Sequence, residues 1–150
     1  MNHATAVEDL VKQLYGLGMV RREIGRHALT ELGSQGFSAL AAIHAAGSLR
    51  VSQVAAELQV DLSVASRQVA ALTASGYVER RAEARDRRAQ RLVLTEAGST
   101  ALREAHRRMV AAFATVLGDW APEDLARLTA DLERLRSDFL SAAARASTDP

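Results

Sequence analysis

The 150-residue chain contains no cysteine. That excludes a disulfide framework, a Cys-based zinc site and any thiol redox switch. No apolar run approaches the roughly 18 residues of a membrane span, and the start lacks a basic-then-apolar secretory pattern, so a cytoplasmic protein is expected. A glycine-rich phosphate loop and a nucleophile elbow are both missing. The four histidines (His3, His27, His44 and His106) show no metal-ligand spacing with one another or with a carboxylate. These absences argue against an enzyme, and neither a cofactor nor a metal is expected. Lysine is almost absent too, at one of nineteen basic residues, and codon bias in a GC-rich genome accounts for most of the arginine excess. What remains is an ordinary globular composition, 48% hydrophobic and 25% charged, with a length that suits one domain bearing helical extensions.

The formal net charge of +1 is a cancellation. Residues 1–49 are neutral overall, residues 50–91 carry +3 and residues 92–150 carry −2. Codon bias does not explain this clustering. Arg80, Arg81, Arg85, Arg87, Arg88 and Arg91 fall within twelve positions. A total near zero therefore leaves room for a local, strongly basic surface.

Apolar residues recur at helical spacing from Val7 through Leu10, Val11, Leu14 and Leu17 to Ile24, predicting a first helix over about 7–26. Gly33 and Gly36 then flank an expected loop, with Ser38 opening a second helix that Gly47 stops. Leu49-Arg50-Val51 reads as a short strand, Ser52 as the cap of a helix over 53–58, and Gln59-Val60 as a tight turn. Asp61 caps the next helix, whose inward face is Leu62, Ala65, Val69 and Leu72. After Gly76, the β-prone pieces Tyr77-Val78 and Leu92-Val93-Leu94 enclose a charged loop and predict a hairpin. Thr95 caps a long helix, and Pro122 with Glu123 and Asp124 opens a last one. Leu125, Leu128, Leu132, Leu135 and Phe139 form a two-heptad seam along it. From Ser147 onward a disordered tail is expected.

The order implies a mainly α fold with a small β-hairpin. Two short helices joined by a tight turn and followed by a hairpin form a winged helix-turn-helix. Its groove geometry is specific: a helix fits the major groove of B-DNA, and an arginine-bearing loop suits the adjacent minor groove. Ser63, Val64, Ser66, Arg67 and Gln68 on the second short helix offer hydroxyl, guanidinium and amide groups for phosphates and base edges. A solvated surface helix and a charged solvent loop are the plain alternatives, less economical because both features fall in adjacent elements.

The chain resembles the MarR-type transcriptional regulators over nearly its whole length. The most specific part is Asp86-Arg87-Arg88-Ala89 followed by Leu92-Val93-Leu94-Thr95-Glu96-Ala97-Gly98, similar to the family's wing and the Leu-Thr-x-x-Gly start of a helix. Ser66–Leu72 with Gly76-Tyr77-Val78 resembles the recognition helix and its exit. The resemblance implies that Arg88 enters the minor groove, that Asp86 braces a neighbouring arginine, and that Arg85 and Arg87 share the wing. It likewise makes Ser63, Ser66, Arg67 and Gln68 the recognition-helix contacts. Two positions depart from the pattern: Val64 stands where threonine is common, and Gln59 where a turn usually favours glycine.

The C-terminal seam, with Leu10 and Leu14 of the first helix, has little to pack against in a central domain of about 45 residues. Packing between two chains solves this, and the resemblance implies the same intertwined homodimer. The resulting organisation is residues 1–36 for dimerisation, 37–95 as the DNA-binding lobe, 96–146 for dimerisation and 147–150 as the tail. The partner implied is double-stranded DNA with a palindromic operator, its half-sites about one helical turn apart. The resemblance further implies a repressor relieved by a small anionic or aromatic effector, with Met19, Arg22 and His44 on segments able to line its pocket. The rival reading is a helical protein–protein scaffold, which leaves the arginine hairpin unexplained.

Overall fold

The computed structural model describes residues 2–28, 32–82 and 90–146. The element order is α1 (His3–Ala28), α2 (Gly33–Ala46), α3 (Val51–Leu58), α4 (Leu62–Ala74), β1 (Val78–Ala82), β2 (Gln90–Leu94), α5 (Glu96–Val116) and α6 (Pro122–Ala146). The chain divides into two compact units, residues 1–113 and 114–150. The strands pair antiparallel in the register Val78↔Leu94 to Ala82↔Gln90, so the hairpin forms where the β-prone pieces predict it. The tail from Ser147 lies outside the described residues.

The core of the first unit lies beneath α4. Leu40 and Ile43 of α2, Val54 of α3, Val69 of α4 and Leu92 of β2 are fully buried, and Leu72, Val78 and Leu102 nearly so. Each helix contributes one apolar stripe at helical spacing, and burying several such stripes together is what holds short elements in place. Leu102 ties the first half of α5 to the lobe, and Ala105 extends the contact to Leu32, Phe37 and Met109.

Two helix starts differ from the sequence reading. The second helix begins at Gly33, not Ser38, and takes in the expected loop. Gly36 is buried within it, where an added Cβ would come 3.1 Å from Nε2 of Gln68. This glycine permits close approach of α2 to α4; it is not a loop residue. The third helix starts at Val51, with Arg50 in extended backbone ahead of it. The Gln53 side chain accepts a hydrogen bond from the Arg50 N–H at 2.8 Å, so Gln53 supplies the cap expected from Ser52. Of the strand-like piece only Leu49 pairs, exchanging backbone hydrogen bonds with Leu92 at 2.7 and 3.1 Å.

Other local expectations match the structure. Asp61 stands at the cap position in extended backbone ahead of α4, its carbonyl accepting from the N–H groups of Val64 and Ala65, but its side chain makes no capping hydrogen bond. Gln59 takes the left-handed conformation, with φ 52° and ψ 46°. The Thr95 hydroxyl accepts from the Gly98 N–H at 3.0 Å and donates to the Gly76 carbonyl at 2.6 Å. The Thr95 N–H donates to the carbonyl of Tyr77 at 3.1 Å. One threonine thus caps α5 and fastens it to the exit of α4. Gly98 completes the junction, because a Cβ there would lie 2.0 Å from the Tyr77 carbonyl oxygen.

Candidate nucleic-acid interface

Helix α4 has two clear faces. Ala65, Val69 and Leu72 point into the core, while Ser63, Arg67, Ala70 and Ala74 recur on the opposite, exposed face. Val64 and Ser66 are half-buried at its margins. Gln68 is also half-buried, and its amide nitrogen lies against Gly36 of α2. The exposed face therefore offers one hydroxyl and one guanidinium between alanines small enough to let a helix approach a groove floor.

The basic cluster does not form one uniform surface. Arg80 is exposed on β1. Arg81 is also exposed, and its Nε donates to Glu79 at 2.7 Å. Arg91, half-buried on β2, donates from Nε to the Ser48 hydroxyl at 2.8 Å and from a terminal nitrogen to the Ser48 carbonyl at 2.9 Å. Arg85, Asp86, Arg87 and Arg88 lie outside the described residues. The role of Ser48 is not legible in a local pattern, since it stands 43 positions from Arg91. A signal for it exists in the hairpin register, which sets Arg91 opposite Arg81. Like charges directly across a strand pair are unfavourable and call for separate partners.

Away from the lobe surface, α1 leaves Val7, Leu10, Val11 and Leu17 partly exposed, with Leu14 half-buried. In the second unit, α6 half-buries Leu125 and Leu135 but exposes Leu128, Leu132 and, at 68%, Phe139. So large an exposed stripe on a helix is too apolar for an ordinary solvent face. Met19, Arg22 and His44 are all exposed. The second unit has an open cleft of about 460 Å³ lined by Asp119, Trp120, Asp124, Arg127, Leu128 and Asp131. Its three aspartates repel an anion, so it is a poor match for an anionic effector. Among the described residues, no group of three or more His, Asp or Glu side chains is placed to hold a metal ion, and no helix is long and apolar enough to cross a membrane.

Residues 32–89, spanning α2 through the start of the wing, match the MarR family model. The fold agrees over most of the chain: a MarR family protein from Bacillus stearothermophilus is 25% identical, with a TM-score of 0.79 over 93% of this chain and 99% of that one. The chain has a winged helix-turn-helix fold, and its residues 32–89 are similar to the MarR family. The transcriptional regulator BldR from Sulfolobus solfataricus is also similar in fold, at 24% identity and TM-score 0.72 over 89% of this chain and 99% of that one. A mutant of E. coli MarR complexed with operator DNA is similar at 17% identity and TM-score 0.70, over 90% and 99% of the two chains. No curated protein matches the sequence. Within the MarR fold, the Leu-Thr-x-x-Gly stretch has a physical meaning in this chain: Thr95 caps α5, and Gly98 makes room for the Tyr77 carbonyl.

Proposed function

We propose that the protein is a sequence-specific DNA-binding transcriptional regulator that acts as a homodimer on a palindromic operator. The observation that supports this best is the exposed Ser63–Arg67 face of α4 set beside an arginine-rich hairpin in one lobe. In this reading residues 37–95 form the DNA-binding lobe, and residues 1–36 and 96–146 serve dimerisation. The α4 face enters the major groove, where Arg67 reaches guanine or phosphate, Ser63 and Ser66 bind phosphate, and Val64 adds apolar contact. Gln68 joins them only by turning away from Gly36. The wing loop of Arg85, Asp86, Arg87 and Arg88 serves the minor groove, with Arg88 as the inserted side chain.

The stripes of Leu10 and Leu14, and of Leu125, Leu128, Leu132, Leu135 and Phe139, are covered by a second copy. Two-fold symmetry then dictates two half-sites about one helical turn apart. Repression, relieved when a small effector shifts the population toward lobe spacings that do not fit the operator, is the finer part of the proposal and draws its support from the match of residues 32–89 to the MarR family model. The test is a fluorescence anisotropy titration on a duplex enriched from a random-sequence pool. Arg67→Ala should cost about 1–3 kcal/mol and relax preference at one base pair if it reads a base, or weaken all sequences equally if it holds phosphate. Unchanged affinity would remove α4 from the interface.

A further inference from the structure

We infer that Arg91 is a positioning residue that straps the wing to the junction ahead of α3 and so sets where the hairpin stands relative to the exposed face of α4. The inference rests on the DNA-binding reading above. It begins with the hairpin register, which places Arg91 directly across from Arg81. Such a like-charge pair disfavours the hairpin unless each side chain is drawn elsewhere. Arg81 turns along its own strand to Glu79, whereas Arg91 leaves the hairpin and uses two nitrogens on one distant residue, Ser48. A guanidinium fork held at two points by one residue fixes direction as well as distance.

Beside it, Leu49 and Leu92 exchange both of their backbone hydrogen bonds. Four hydrogen bonds therefore fasten residues 91–92 of the wing to residues 48–49, and Arg50 is already the cap of α3. Beyond this point apolar anchorage ends. Along β1 burial falls from Val78 to the exposed Arg80, Arg81 and Ala82, and on β2 Gln90 is exposed. Arg91 is the outermost described position of β2 with a bond back to the helices. Its half-buried guanidinium belongs to the basic cluster in sequence but is committed to the lobe, so its influence on DNA is exerted through geometry.

The experiment measures affinity of the full-length protein for the selected duplex across a range of salt, with Arg91→Gln, Arg91→Lys, Ser48→Ala and the Arg91→Gln/Ser48→Ala double variant. We expect Arg91→Gln to weaken binding about tenfold with an unchanged salt slope. Ser48→Ala should act in the same direction, the double variant should be no worse than Arg91→Gln, and Arg91→Lys should not rescue. A phosphate contact would instead lower the salt slope by about 0.9, be restored by lysine and leave Ser48→Ala silent. That result would overturn the inference.

A second readout needs no DNA. The absence of cysteine allows spin labels to be placed only at Ala74→Cys on α4 and Ala82→Cys on β1, both exposed. Their distance distribution should be narrow in the parent and broader with Arg91→Gln. An unchanged distribution overturns the strap. A broadened one upholds it even where the parent fails to bind DNA, an outcome that would count against the proposed function alone.

Discussion

Replacing Gly98 by alanine tests the junction between the lobe and α5 most sharply. The new methyl would sit 2.0 Å from the Tyr77 carbonyl oxygen and 2.8 Å from its carbon, where ordinary contact begins at 3.4 Å. Relief requires the Tyr77 backbone to retreat by more than an ångström, and Tyr77 is not free to do so. Its carbonyl accepts from the Thr95 N–H, while the Thr95 hydroxyl bonds Gly76 and Gly98 on either side. Overpacking of this kind costs roughly 1–3 kcal/mol, and loosening the Thr95 cap adds about 1 kcal/mol. Alanine's better helix propensity returns about 1 kcal/mol. A loss of roughly 1–3 kcal/mol remains, which for a chain of this size lowers the melting midpoint by about 2–12 °C. Circular dichroism melts at one fixed protein concentration measure it, because association shifts the midpoint. A Gly98→Ala midpoint equal to the parent's would refute the close approach and with it the account of the Leu-Thr-x-x-Gly stretch.

Two further outcomes follow from the structure. Gln59→Gly relieves a left-handed backbone at φ 52° that costs a side-chain-bearing residue about 1–2 kcal/mol, set against about 0.4–1 kcal/mol of unfolded-state entropy. The net is a stabilisation of up to about 1.6 kcal/mol in denaturant titrations, and a destabilised variant would contradict the turn geometry. Leu128→Asp with Leu132→Asp places unpaired charges in the proposed dimer seam, at roughly 3–5 kcal/mol for a buried one. Sedimentation should then report monomers where the parent is dimeric, and a surviving dimer would move the interface off α6.

Much of the lobe was legible because its signals are local. Thr95, Pro122 and Asp61 mark helix starts, and spacing alone declares Ala65, Val69 and Leu72 as the inward face of α4. Leu62, expected on the same face, is exposed because it stands at the first turn beyond the core. Gly36 misled for the opposite reason. A glycine that admits a neighbouring helix has the same local signature as one that makes a loop, and only the presence of Gln68 across the gap separates them. Ser52 lost its expected role to a Gln53 side chain reaching back one turn. The arginine cluster was visible as charge, but its division was not. Arg81 and Arg91 are opposite each other in the register, yet one bonds within its strand and the other to Ser48. Hydrogen bonds across 43 positions leave no periodic trace in the chain.

The central claim is sequence-specific recognition of DNA by a two-fold dimer. Selection of bound duplexes from a random-sequence pool, using the full chain at about physiological salt, tests it most directly. The account predicts enrichment of an inverted repeat whose half-sites are centred about one helical turn apart, 10–10.5 base pairs. A pool that emerges without a shared motif, or with one lacking two-fold symmetry, would contradict it.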